Sequence, residues 1–277
     1  MCAFVVLSCF IIAAPTLAED AASQHKPWKN ISLDFGWNFA TLDTTLNLGV
    51  KGVGVALDAE DFFGLDTSTS VFRANAYWRF TDNQRHRFDI KWYSLSREGF
   101  KTIGRDITIE DDKGNEILLP LGTTVNSHLD LDLYRASYSY SFFQDDRIDL
   151  AGGIGVYILP IDIGLNASGI VSFDESEKFT APLPTLGLRA DFAITPKLFL
   201  RSYIDFLYLE IDQFKGSIFE LTLGLEYLFW KHLGVGFAFD TFRLDIESDG
   251  EDYPGIDFNG NLKFDVTGLN IYMKLFF

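Results

Sequence analysis

Apolar and polar residues alternate from Ile31 to Phe277 in one turn-bounded segment after another, a period of two that points to β-strands. In 70–80, Phe72, Ala74, Ala76, Trp78 and Phe80 share one face, and Arg73, Asn75, Tyr77 and Arg79 share the other. In 217–229, Phe219, Leu221, Leu223, Leu225, Tyr227 and Phe229 oppose Glu220, Thr222, Gly224 and Glu226. A soluble sandwich with one wet face would also alternate. Here the polar face carries both signs of charge, as if facing its own kind. The apolar face is rimmed by Trp37, Trp78, Trp92, Tyr138, Tyr140, Tyr227 and Trp230, which suits a headgroup girdle. The expected fold is all-β, a transmembrane antiparallel β-barrel.

The connections support that layout. Short polar turns fall at 81–84, 144–146, 195–197 and 230–232, and they alternate with longer links at 59–68, 98–123, 164–184 and 248–260. The Gly-containing link 213–216 is the short member of the long set. Short turns on one side and long loops on the other are expected of an outer-membrane barrel. Counting back from Phe277 gives strands near 262–277, 233–246, 217–229, 198–211, 185–194, 147–160, 125–142, 85–97, 70–80 and 51–58. The segment Ile31–Leu48 is left over. A kink near Ala40-Thr41 would split it into a hairpin and give twelve strands, the first expectation. Ten strands, with that segment in the lumen or at its rim, is the second. A change of phase between Leu129, Leu131 and Leu133 and the pair Tyr138 and Tyr140 predicts a bulge near Tyr134–Ala136, or a strand rising beyond the bilayer.

The segment 1–18 has the apolar core and the small residues Thr16 and Ala18 of a signal peptide, although no basic residue precedes Lys26. The expected organisation is 1–18 signal peptide, 19–30 short periplasmic segment, and 31–277 barrel. Cys2 and Cys9 are the only cysteines, so 19–277 has neither disulfide nor thiolate chemistry. A net charge of −16 argues against nucleic acid as a partner. The closing strand, with Leu269, Ile271, Met273, Leu275 and Phe277 on one face, resembles the terminal signal that outer-membrane assembly machinery reads, with Phe277 as its mark. The expected partners are that machinery, outer-membrane lipids and lipopolysaccharide. The barrel is expected to be monomeric and integral to a Gram-negative outer membrane.

Several phrases resemble an uncharacterised family of proteobacterial outer-membrane β-barrels. They are Leu42-Asp43-Thr44-Thr45, the run Asp58 to Leu65, Arg85-His86-Arg87-Phe88-Asp89, Tyr93-Ser94-Leu95-Ser96-Arg97, the run Ala181 to Gly187, and Gly255-Ile256-Asp257-Phe258. The resemblance implies a place and a fold, and no activity.

The chemistry-bearing residues fall into two sets. The expected lumen holds Arg73, Arg79, Arg87, Asp89, Lys91, Asp149, Arg189, Asp191, Arg201, Asp205, Glu220 and Glu226, together with Asp240 and Lys274. Such charges must be compensated away from bulk water, which an interlocked network does. The same residues would serve a filled structural or surface barrel, or a narrow porin-like conduit. The second set serves an enzyme. His86 and His232 lie at the short turns, so only His128 stands near the outer rim, with Ser96 and Asp130 as candidate catalytic partners in lipid hydrolysis. Ser127 and His128 point to opposite faces and cannot act together. The acidic clusters, Asp58-Glu60-Asp61 among them, read as solvated loops or as bridges through divalent ions to lipopolysaccharide phosphates. No His/Cys/Asp metal cluster is evident along the chain, and neither a cofactor nor a metal is expected.

Overall fold

The two ends of the alternating region pair with each other. In the computed structural model, β1 (Ile31–Leu48) runs antiparallel to the last strand, Asn259–Phe276, from Ser32↔Phe276 to Leu48↔Gly260 without a break. Residues 27–48, 55–104, 106–110, 116–168, 173–211, 214–249 and 259–277 are described; the expected signal peptide lies outside them. The remaining elements are β2 (Val55–Asp58), α1 (Ala59–Phe63), β3 (Ser68–Arg79), β4 (His86–Thr102), β5 (Ile107–Glu110) and β6 (Glu116–Leu119). They continue as β7 (Thr124–Gln144), β8 (Ile148–Ser168), β9 (Phe173–Thr195), β10 (Leu198–Ile211), β11 (Phe214–Leu228), β12 (Leu233–Asp249) and β13 (Asn259–Phe276). The wall is β1, β3, β4 and β7 to β13, each strand paired with the next and β13 with β1, which makes a closed antiparallel barrel of ten strands. Among the described residues no helix is long and apolar enough to cross a membrane.

Ten is the second of the two counts that the sequence left open, and the surplus segment is a different one. Ile31–Leu48 is one unbroken wall strand, not a hairpin and not a lumen element. What changes near Thr41 is its partner: residues 31–41 pair with β3, and Thr45–Leu48 pair with β2. Of the segment 51–58, expected as a wall strand, the described residues 55–58 form the short β2, which leads into α1 and is not part of the closed wall. The bulge expected near Tyr134–Ala136 is also absent. The β4–β7 register runs unbroken from His86↔Tyr140 to Thr102↔Thr124, and β7 shifts register against β8 only between Ser141 and Phe143.

Both errors have one physical cause. In the half of the barrel nearest the chain ends and the short turns, outward side chains are apolar and exposed, including Leu33, Phe35, Trp37, Ile154, Leu223, Phe237, Ile271 and Met273. In the other half, the buried inward side chains are apolar: Leu42, Leu95, Leu129, Leu131, Leu133, Leu159, Ile161, Phe242, Leu244, Ile246, Leu262 and Phe264 form one core. The apolar stripe therefore changes face along a straight strand. On β12 it passes from odd to even positions between Phe239 and Phe242, and on β13 from even to odd between Val266 and Leu269. Thr41, Thr267 and Thr241 lie side by side in register at this crossing, with the Thr241 and Thr267 hydroxyls 3.3 Å apart.

A strand whose outer face is apolar suits lipid, and one whose inner face is apolar suits water outside it. From Thr267 to Phe277 the rise is about 33 Å along the strand, or about 25 Å along the barrel axis at a tilt near 40°, matching the usual apolar band. The eight residues Asn259 to Val266 carry the wall roughly 20 Å further. The second sequence expectation for β7, a strand rising beyond the bilayer, fits this geometry.

Candidate functional site

Alternation sends every second side chain of the apolar-belted half into the lumen, and the charges meet there. Eight cations (Arg73, Arg79, Arg87, Lys91, Arg135, Arg189, Arg201 and Lys274) share the interior with eight carboxylates: Asp34, Asp89, Asp149, Asp191, Asp205, Glu220, Glu226 and Asp240. The hub is Asp191, whose Oδ2 lies 2.5 Å from Arg189, 2.9 Å from Arg201, 3.4 Å from Arg87 and 3.9 Å from Arg79. Asp149 takes Arg79 at 2.7 Å and Arg189 at 3.0 Å. Glu226 takes Lys274 at 2.7 Å and Arg201 at 3.1 Å, and it accepts a hydrogen bond from the Tyr272 hydroxyl. Glu220 pairs with Lys91 and accepts from Tyr203 and Tyr157; Asp205 pairs with Arg135, and Asp240 with Arg73. Apart from Arg189–Asp191 on β9, these links join residues on different strands and so tie the wall together through the lumen.

All twelve sequence-predicted lumen residues, with Asp240 and Lys274, are placed inside. Sequence reasoning missed two members. Arg135 was hidden by the supposed bulge beside it. Asp34, which accepts a hydrogen bond from Asn75 at 2.5 Å, belonged to the segment whose place in the wall was open. The open space among these side chains is about 110 Å³.

Both ends of the network are covered. At the turn end, Trp28 is buried beneath the barrel. Its indole N–H donates to the Asp145 carbonyl at 2.7 Å, and its ring faces the guanidinium groups of Arg79 and Arg201 at 5.9 and 5.7 Å. Gln84 takes a left-handed conformation (φ 60°) in the β3–β4 turn, where its carbonyl accepts from Arg79 and its side-chain amide holds Trp28 and Asn30. No periodicity marks Trp28, because it stands alone before the first strand. At the loop end, α1 lies against the apolar core through Ala59. Arg97 binds it there: its guanidinium reaches Glu60, the Thr44 hydroxyl at 2.8 Å and the Asp66 carbonyl at 2.9 Å. Glu60 is thus a partly buried anchor held by Arg97 and not part of a solvated acidic loop. Phe277 secures the seam between the chain ends. Its carbonyl accepts from Asn30 and Ile31 at 3.1 Å, and its ring stacks on His232.

His128, Ser96 and Asp130 share the outward face of the loop-end half, with Ser96 directly opposite Asp130 in the β4–β7 register. They do not form the expected catalytic set. Ser96 is on β4, on one side of β7, while the His128 imidazole reaches to the other side and comes within 3.5 Å of Asp162 on β8. Gly164, opposite His128, makes this possible, since a Cβ there would fall inside the imidazole. Strand pairing brings His128 a second group that sequence order does not show. The β7–β8 register sets Asp130 opposite Asp162, and one ligand atom from each of His128, Asp130 and Asp162 lies within 4.8 Å of the others. Asp162 is distant in sequence, so only the strand pairing reveals the group.

No family model matches the chain, and no curated protein matches it. Solved structures do. The chain is similar to the outer membrane protease OmpT from Escherichia coli at 10% identity and a TM-score of 0.53, with 90% of this chain and 97% of that one covered. It also matches the transport unit of the autotransporter AIDA-I from Escherichia coli at 8% identity and a TM-score of 0.41, covering 90% and 92%. At these identities the likeness concerns architecture. The chain has the fold of an outer-membrane β-barrel.

Proposed function

We propose that this protein is a non-conducting barrel of a Gram-negative outer membrane, holding its rigid loop-end half outside the bilayer as a surface structure. One observation carries this reading: the interior holds ion pairs at the level of the apolar belt and an apolar core beyond it. Trp28 then faces the periplasm and α1 the exterior. Residues 1–18 serve as the export signal, and Phe277 as the mark read by the assembly machinery. Lipids contact the belt, lipopolysaccharide surrounds the polar outer wall, and a single copy closes the barrel.

The interior weighs against a porin-like conduit. About 110 Å³ of space among paired charges is a chamber of a few waters, and the apolar core stands between it and the loop end. The lipid-hydrolase reading has less support, because His128 turns away from Ser96. Single-channel recording on the folded barrel in planar bilayers tests the proposal. A silent membrane at high protein density is expected, and discrete, reproducible conductance steps would overturn it.

A further inference from the structure

The outward wall of the loop-end half carries a group that the closed-barrel reading leaves unused. His128 and Asp130 stand two residues apart on β7, and Asp162 stands directly across from Asp130 on β8. Like charges directly opposite on one face of a sheet repel, with Cβ atoms typically about 5 Å apart. The negative field is extended by Asp132 on the same face of β7 and by Glu98 opposite His128 on β4. An imidazole completes the group, and its position is built in: Gly164 provides the space that lets the ring lie over β8 toward Asp162.

From this arrangement we propose that His128, Asp130 and Asp162 bind one divalent first-row transition ion of the zinc class on the outside of the barrel. One imidazole nitrogen and two carboxylate oxygens are a zinc-type donor set, and a fourth position would be left open to water or an exogenous ligand. In a tetrahedral site with bonds near 2.05 Å, neighbouring donors lie about 3.4 Å apart. The His128–Asp162 separation of 3.5 Å already has that length. The full set, within 4.8 Å, closes by side-chain rotation on two strands whose backbones are fixed by the β7–β8 ladder. Calcium and magnesium fit poorly, since both prefer six or more oxygen donors or retained waters over imidazole. The ion would neutralise the opposed aspartates and fasten β7 to β8 above the lipid.

The test is zinc titration of the folded barrel in detergent by isothermal calorimetry, with cobalt as a spectroscopic probe. One equivalent of zinc should bind, cobalt should develop visible bands of a low-coordinate nitrogen–oxygen site, and millimolar calcium should not displace either. His128→Ala, His128→Gln and Asp162→Asn should each weaken zinc at least tenfold, while the heat-modifiable migration of the folded barrel on gels stays intact. His86→Ala should leave binding unchanged. Absence of saturable binding, affinity in both His128 variants equal to that of the unsubstituted protein, or displacement by calcium would overturn the proposal. Should Asp162→Asn fail to fold, the two His128 variants decide the matter.

Discussion

Replacing Asp191 by alanine probes whether the lumen is filled or merely lined. Asp191 faces four guanidinium groups: Arg189 and Arg201 in direct contact, Arg87 and Arg79 just beyond. Its side chain is 2% exposed and those of the four arginines 0–14%. In that setting removal of one partner leaves uncompensated charge, and such losses typically cost about 3–5 kcal/mol. An exposed pair supplies the contrast. Lys215 and Glu247 stand 3.7 Å apart with both side chains more than 40% exposed, where screening by water holds the expected cost of Lys215→Ala to ~0–1 kcal/mol. Urea unfolding in detergent or vesicles, followed by tryptophan fluorescence, reads both. With a slope of ~2 kcal/mol/M, Asp191→Ala should lower the midpoint by about 2 M and Lys215→Ala by under 0.5 M. Equal, small shifts would mean that water reaches the arginines and that the interior is a hydrated conduit, not a filled lumen.

Two further outcomes follow from the change of face. Leu131→Ala empties part of the loop-end core and should cost about 2–5 kcal/mol, whereas Asp132→Ala, on the outer side of the same strand, should stay within about 0.5 kcal/mol; equilibrium unfolding of the pair measures this. Gly236 lies under the Tyr272 ring in the lumen, where a Cβ would overlap the ring atoms. Gly236→Ala should therefore displace Tyr272 from Glu226 and destabilise the barrel by about 1–3 kcal/mol, read from the same unfolding curves.

Much of this barrel was legible in sequence because period two survives in every wall strand. The faces of 70–80 and 217–229 occupy the sides that their alternation predicts, and the twelve lumen charges follow from parity alone. The count and the bulge were misjudged because a strand that passes from lipid to water changes which face is apolar. A local reading takes that change for a kink at Ala40-Thr41 or a bulge at Tyr134–Ala136. Arg135 and Asp34 were lost to the same ambiguity. Trp28, Glu60 and Asp162 had a different obstacle. Their roles depend on partners at least sixteen residues away or on neighbouring strands, and no local pattern encodes strand register.

A barrel sealed inside and wetted outside beyond the lipid determines which positions a polar reagent can reach. Cys2 and Cys9 are the chain's only cysteines and lie in the segment read as the export signal, so single cysteines placed in 31–277 can be probed without background. Ser137→Cys points into the lumen, Tyr138→Cys outward at the belt, and Asp132→Cys outward beyond it. With a charged, membrane-impermeant thiol reagent applied to the folded protein in vesicles or intact cells, only Asp132→Cys should label. Rapid labelling at Ser137→Cys, or protection at Asp132→Cys, would contradict the claim.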